Sequence, residues 1–510
     1  MRTRNAYINY ISALLLQAVN GIYGLLIPKL FIYEYGSVIN GLVSSVMQLV
    51  SCLGIVEMGL GVAGMVELYE PLANGDKEEI NGILYDLRRF YIKSGFCFLF
   101  LMIGIMIIYP YIISDEVPDK AFVQKMVLIL SVNTLSDFFL IDKYRVLLMA
   151  DQKTYVINFV QVAVKTAVTV ITYFMISLKA DSLTVKAAAI PVFLFGSIAV
   201  TAITHKEYPF LSFKQNEGKH AFTQRRAAFV HQIMGFICLN TDMVLLTIFS
   251  SDSALKNVSI YAVYDLVLYA VASMISAITS STTAGFGNLI VSNDEDRLRT
   301  AYSSYEYIAF IVIFTIYISV VILIRPFMNI YTKGLADSEE YMNWNIAFLF
   351  IISGFIRMLR FPASTLIDAA GHYQKTLWRS VAEGMINIAV SVFLIPRYGI
   401  AGTLIGSIAA FLYRTIDVLL YTDRMFLKKS LSKTVRRIIL NSVTAMIVIF
   451  FLFEKTGVIV DDFLKWMINA VITVTVSGIA LFIANSISEE QEMKELYLRM
   501  RALFIKGNNS

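Results

Sequence analysis

Apolar residues in this chain fall into long, uniform blocks, not into the one-sided or alternating patterns of a soluble fold. Fourteen blocks of about 20 residues stand out, the length that crosses a bilayer as a helix. They cover 6–33, 38–64, 90–113, 121–148, 154–177, 186–204, 225–250, 258–289, 303–324, 343–367, 374–396, 400–422, 437–453 and 463–485. Barrel strands would be shorter and would alternate apolar with polar residues. Each block therefore predicts a membrane-spanning α-helix. The block at 121–148 is the richest in polar residues and 437–453 is the shortest.

Composition explains why no soluble reading competes. Of 510 residues, 57% are hydrophobic and only 16% are charged, where soluble proteins carry about 25% charged. Mean hydropathy is +0.66. So few charges cannot coat soluble domains, which excludes a soluble enzyme, a disordered tail and a nucleic-acid-binding module. Met1-Arg2-Thr3-Arg4 before an apolar run to Tyr33 resembles a signal peptide only superficially. The run is too long for one and predicts an uncleaved first span.

The net charge of +5 matters less than its placement. With the N-terminus in the cytoplasm, cytoplasmic segments hold about 29 Lys and Arg and the opposite segments about 10, as the positive-inside rule requires. The richest stretches are 205–226 and 424–437, the latter holding Arg424, Lys428, Lys429, Lys433, Arg436 and Arg437. Both termini are then cytoplasmic. The largest external loop is expected around 325–342, with Asp337, Glu339 and Glu340.

The chain also repeats itself. Gln152-Lys153-Thr154 opens span five and Gln374-Lys375-Thr376 opens span eleven. "NGDKEEI" after span two parallels "SNDEDRL" after span eight, matching Asp76 with Asp294. Spans one to six and seven to twelve read as two copies of a six-helix unit, and an even helix number makes the copies parallel. The expected architecture is an all-α polytopic membrane protein: an N-terminal bundle at 1–204, a cytoplasmic linker at 205–224, a second bundle at 225–424 and two further helices with a cytoplasmic tail at 425–510. Two such bundles leave a V-shaped central cleft able to open to either side.

Ionisable residues inside spans are costly, about 2.5–3.5 kcal/mol at a helix centre on insertion scales. Glu57, Asp137, Lys165, Asp242, Asp265, Arg357, Arg360, Glu383, Arg414 and Asp417 all fall there. The repeat sharpens the list. Asn158, Gln161 and Lys165 share one helix face in span five, and Ser380, Glu383 and Asn387 share the corresponding face in span eleven. Two readings are open for these stripes: walls of the cleft, or hydrogen-bonding glue between helices. As a substrate cavity the candidates are Gln161, Lys165, Arg357, Glu383, Asn387 and Arg414, whose cations suit a phosphate or diphosphate. Arg360 can instead snorkel to the membrane surface. Glu57, Asp137, Asp242 and Asp265 are candidates for ion sites or structural polar anchors.

Other features carry less. Gly59, Gly61 and Gly64 spell a dinucleotide-binding pattern, but inside an apolar helix they suit helix packing. Cys52, Cys97 and Cys238, and the four histidines, show no metal-ligand spacing. No P-loop is present. No metal, cofactor or catalytic group is expected. The stretch from Ser488 onward reads as an amphipathic cytoplasmic helix with a frayed end.

Several segments resemble the Wzx-type polysaccharide flippases of the multidrug/oligosaccharidyl-lipid/polysaccharide (MOP) superfamily. They are "VSCLGIVEMGLGVAGMVELYEPLANGDKEEIN" across span two, "MADQKTYV" at span five, "NTDMVLL" in span seven and "IPRYGIAGTLIGSIAAF" across spans eleven and twelve. The resemblance covers the first twelve spans, and the span count agrees. It implies a bacterial cytoplasmic-membrane protein that translocates undecaprenyl-diphosphate-linked oligosaccharide units for capsule, exopolysaccharide or O-antigen synthesis by alternating access. Its partners would be that lipid-linked sugar, membrane lipids, and a polysaccharide polymerase and glycosyltransferases. Only Glu57 and Asp242 fall on matching motifs. The alternatives are a multidrug or cation exporter of the same fold, a lipid II flippase, or a membrane-embedded glycosyltransferase or polymerase.

Overall fold

The structure, a computed structural model, describes the chain outside residues 1, 55–59, 114–116, 118, 214–239, 252, 281, 293, 429–430, 456–461, 491 and 494–510. The described residues contain helices and no strand. Twelve helical segments are long and apolar enough to cross a membrane. The first of them, Tyr7–Leu53, holds two spans, because Gly36 at φ +83° breaks the helix near its middle. Such a backbone conformation suits only a residue without a Cβ. Of the expected span seven, Asp242–Phe249 is described as a helix, and 225–239 lies outside the described residues. Fourteen spans thus remain the count that fits. Large apolar side chains such as Phe100, Phe195, Trp378, Phe393 and Ile487 stand exposed along the helices, as a lipid-facing surface requires. The protein is a multi-pass membrane protein.

Polar residues at span ends set where the helices begin. Asp76 accepts hydrogen bonds from the backbone N–H of Glu78 and Glu79 and caps span three, Lys77–Ile112. Asp294 accepts from Arg297 N–H and caps span nine, Glu295–Thr332. The two acids matched by the sequence repeat therefore do the same work. Spans four and ten are both interrupted. Span four (Lys120–Ala150) makes a π-helical turn at Asp137–Ile141. Span ten (Ser338–Ala369) breaks at Arg360, where Pro362 in the next turn cannot donate a hydrogen bond.

Several expected boundaries change: the helix that holds span two ends at Leu53, a further helix covers Leu60–Asn74, and the helix of span three begins at Lys77. The helix of span nine continues through Pro326 to Thr332, because Phe327, Met328 and Tyr331 are buried; the loop expected at 325–342 shrinks accordingly. Span eight, expected as one helix over 258–289, ends at Ser280 and resumes as Thr283–Val291.

The chain divides into two compact units, Met1–Leu266 with Ile395–Ile400, and Val267–Leu394 with Ala401–Ser510. In the first, spans one to six enclose a core that includes Leu42, Val46, Leu84, Phe98, Met126 and Leu147. Close backbone approaches depend on glycine. A Cβ at Gly41 would lie 1.7 Å from the Leu255 carbonyl oxygen, and one at Gly64 2.8 Å from Leu87 Cδ2. Gly64 thus packs helices, as its place in an apolar run suggests.

In the second unit, spans thirteen (Ser432–Lys455) and fourteen (Phe463–Ser488) pack along span nine and against each other. Their ends are joined by a buried ion cluster. Arg437, 1% exposed, donates from Nε and Nη2 to Glu489 at 3.0 and 2.6 Å, and from Nη1 to Glu306 of span nine at 2.8 Å. Lys433 reaches Glu492 at 2.5 Å and Arg436 reaches Glu489 at 3.1 Å. Burial works against the Glu489 charge, but hydrogen bonds from Arg437 and Arg436 hold its pKa below the ordinary carboxylate value.

Candidate functional site

Polar side chains gather in the same three consecutive spans of each sequence repeat: four, five and six in the first unit, ten, eleven and twelve in the second.

In the first unit these spans surround a pocket of about 280 Å³. The π-helical turn of span four supplies Asp137, with Asn133 and Arg145 on either side of it along the helix. Span five (Thr154–Ser177) supplies Gln161 and Lys165, and span six (Ser182–Glu207) supplies Ser197, beside Val160, Val164, Phe193 and Gly196. An extra residue in a helix turn re-aims its side chains, and here it lets Arg145 reach both Asp137 at 3.3 Å and Asp142 at 2.9 Å. The Lys165 ammonium lies 5.3 Å from the centre of the Tyr23 ring, a cation–π contact. The polar stripe of span five is therefore divided. Asn158 is buried and donates to Ser12 Oγ at 3.0 Å, joining spans one and five. Gln161 and Lys165 line the pocket.

In the second unit the corresponding charges close on one another. Arg360 donates to Glu383 Oε1 at 2.6 Å. Glu383 Oε2 lies 3.6 Å from Arg414 Nε, and Arg414 Nη1 donates to Asp417 Oδ2 at 2.8 Å. Asp417 Oδ1 takes a further hydrogen bond from Arg379 at 2.5 Å. The result is a chain of alternating sign across spans ten, eleven (Tyr373–Tyr398) and twelve (Ile400–Leu427). Glu383 and Arg414 are buried at the middle of the chain, and exposure is higher at its two ends, 17% at Arg360 and 39% at Arg379. Asn387 is fully buried and donates to Ser407 Oγ at 3.0 Å. It sits at a contact so tight that a Cβ on Gly406 would lie 2.1 Å from Ser391 Oγ and 3.0 Å from the Asn387 carbonyl oxygen.

Each set of three spans carries a histidine–tyrosine pair. Tyr144 Oη lies 2.8 Å from His205 Nε2, and Tyr421 Oη lies 3.0 Å from His372 Nδ1. Burial, then the nearby Lys375 ammonium, lowers the His372 pKa.

The remaining candidates are scattered. Asp242 is buried and accepts a hydrogen bond from Tyr261 at 2.7 Å. Asp265 is half-buried in span eight, and Arg357 is half-buried in span ten, one turn before Arg360. Glu57 lies outside the described residues. Among the described residues no group of three or more His, Cys, Asp or Glu side chains is placed to hold a metal ion. The sequence reading passed over Arg145 and Arg379. Arg145 carries a signal, since it stands three residues after Asp142, within ion-pair reach on a helix; Arg379 meets Asp417 only through packing.

No family model matches the chain, and no curated protein is found as a relative. Solved structures do resemble it. The lipid II flippase MurJ in its inward closed conformation aligns with a TM-score of 0.65 at 13% identity, covering 96% of this chain and 100% of its own. An inward-facing multidrug resistance MATE family transporter of the MOP superfamily aligns with a TM-score of 0.61 at 13% identity, covering 82% of this chain and 95% of its own. A point mutant of the Vibrio cholerae MATE transporter VcmN gives 0.56 at 15% identity, covering 84% and 99%. The fold of this chain is the fold of these transporters.

Proposed function

We propose that the protein is a flippase that carries a lipid-linked, diphosphate-bearing oligosaccharide across the bacterial cytoplasmic membrane by alternating access, in the manner of the Wzx-type proteins its sequence resembles. The observation that carries this reading is one of coverage. The MATE structures leave about a sixth of this chain unmatched while being almost wholly covered themselves. That remainder is the size of the segment 425–510, which holds spans thirteen and fourteen. The lipid flippase is matched over nearly all of both chains. An extra pair of spans supports the reading of a lipid-linked substrate, which must keep a long apolar tail in the bilayer while its headgroup crosses.

The headgroup needs a protein because moving a charged, hydroxyl-rich group into hydrocarbon costs many kcal/mol. Cations inside the spans replace part of its hydration. Lys165 with Gln161 in the first unit, and Arg357 and Arg414 with Glu383 and Asn387 in the second, are the groups assigned to this task. In this reading the repeat boundaries 1–204 and 225–424 mark the two moving bundles, both termini lie in the cytoplasm, and a polymerase and glycosyltransferases act before and after transport. A second reading, flipping of lipid II, is favoured by the match to MurJ.

Two complementations separate the readings. Expression in a strain lacking a polysaccharide flippase is expected to restore surface polymer. Expression in a strain depleted of its lipid II flippase is expected not to restore growth. The opposite pair of results would replace the first reading with the second.

A further inference from the structure

The chain of charges in spans ten to twelve is more elaborate than helix packing needs. Those spans are already tied together by uncharged bonds. Thr415 donates to the Ile356 carbonyl at 2.9 Å, and Thr422 to the Ala363 carbonyl at 3.2 Å. A buried ion pair adds little net stability over apolar residues of the same volume. The arginines also have supports other than carboxylates. The Arg360 guanidinium lies 5.5 Å from the Phe411 ring centre, and that of Arg379 lies 4.9 Å from the Tyr421 ring centre. Two of the three guanidiniums would therefore stay in place if their counterions left.

The carboxylates, in turn, mimic a ligand. Glu383 and Asp417 both bind Arg414, and each reaches one further arginine. A diphosphate has the same form, two anionic groups joined through one shared atom, and guanidinium forks bind either kind of oxyanion in pairs. The graded exposure toward Arg379 gives an incoming anion a point of first contact.

We propose that Glu383 and Asp417 are internal stand-ins for a diphosphate, which displaces them to bind Arg360, Arg379 and Arg414. This rests on the flippase reading for the identity of the ligand, and it adds the residues and the exchange. The empty protein thereby never exposes bare arginines to the bilayer, and release of the diphosphate is driven by return of the carboxylates.

The test uses the full chain in nanodiscs, in magnesium-free buffer, with binding of inorganic pyrophosphate and of farnesyl diphosphate measured calorimetrically. Removing a competing carboxylate is expected to tighten both ligands about tenfold in Glu383→Gln and in Asp417→Asn. Adding Arg414→Ala to Glu383→Gln is expected to reverse the gain. If neither neutral variant binds pyrophosphate more tightly than the parent, the exchange is wrong and the charges serve packing alone. Should Glu383→Gln fail to fold, Asp417→Asn decides by itself. Tightening for pyrophosphate with no binding of farnesyl diphosphate keeps the exchange and removes the lipid-linked source. Failure of the parent to flip a lipid-linked sugar in proteoliposomes would overturn the flippase reading and leave the binding result standing.

Discussion

The two polar regions are built on corresponding spans and solve the same problem in opposite ways. Spans four to six keep a pocket, with Lys165 resting on an aromatic ring and Gln161 beside it. Spans ten to twelve spend their charges on each other, so that Glu383 and Arg414 are buried in mutual contact. Even their glycine contacts differ. A Cβ on Gly196 would meet Val164 Cγ2 at 2.5 Å, a side chain that borders the pocket and has room to turn; a Cβ on Gly406 would meet the backbone nitrogen of Ser391 at 2.9 Å. A polar group in a membrane can be kept by leaving it space or by pairing it, and each choice leaves a different sensitivity to mutation.

Four measurements test that contrast, and unfolding of the purified protein in detergent serves for the first three. Arg414→Ala removes the partner that Glu383 and Asp417 share and is expected to cost about 3 kcal/mol, the low end for breaking a buried ion pair, because Arg360 and Arg379 still hold one carboxylate each. Next comes Gly406→Ala, expected to cost about 2–3 kcal/mol because backbone cannot move aside. Gly196→Ala should cost only about 1 kcal/mol as Val164 yields into the pocket. Equal costs at the two glycines would remove the distinction between open and closed packing. Third, Lys165→Met should change stability by less than about 1 kcal/mol, since it gives up a single cation–π contact, while it impairs polymer export; unimpaired export would remove Lys165 from the substrate path. The smallest effect is kinetic. In a background without the native cysteines, Gln161→Cys and Lys165→Cys are expected to react with a charged thiol reagent faster than Glu383→Cys and Asn387→Cys. The reverse order would mean that the buried chain, not the pocket, is what water reaches.

The spans were readable because a helix in lipid needs a continuous apolar window, and a window is a local property of sequence. The shared face of Gln161 and Lys165 was readable for a similar reason, since helical spacing alone determines it. What those residues touch was not. Arg379 and Asp417 are 38 residues apart and meet only after spans eleven and twelve pack. Asn387 looked equivalent to Lys165 by the repeat, yet it lies fully buried beside Gly406. Helix ends escaped where packing overrode local preference, as at Pro326, which the buried Phe327 and Met328 carry into the helix. Arg437 stands in the basic stretch 424–437, but its burial in ion pairs with Glu306 and Glu489 depends on residues far away in the sequence.

That arginine also dictates an order of assembly. Translation delivers span thirteen to the membrane with Arg437 at its end while Glu489, beyond span fourteen, has yet to be made. Glu306 of span nine is by then in place and can hold the guanidinium on one side. The second side closes only when span fourteen has threaded fully and its last turn returns Glu489 to the same point. The final two helices are thus tied to the ninth, and to each other, through one guanidinium. The ion cluster is complete only with the last span in place, since Glu489 follows directly on its final turn.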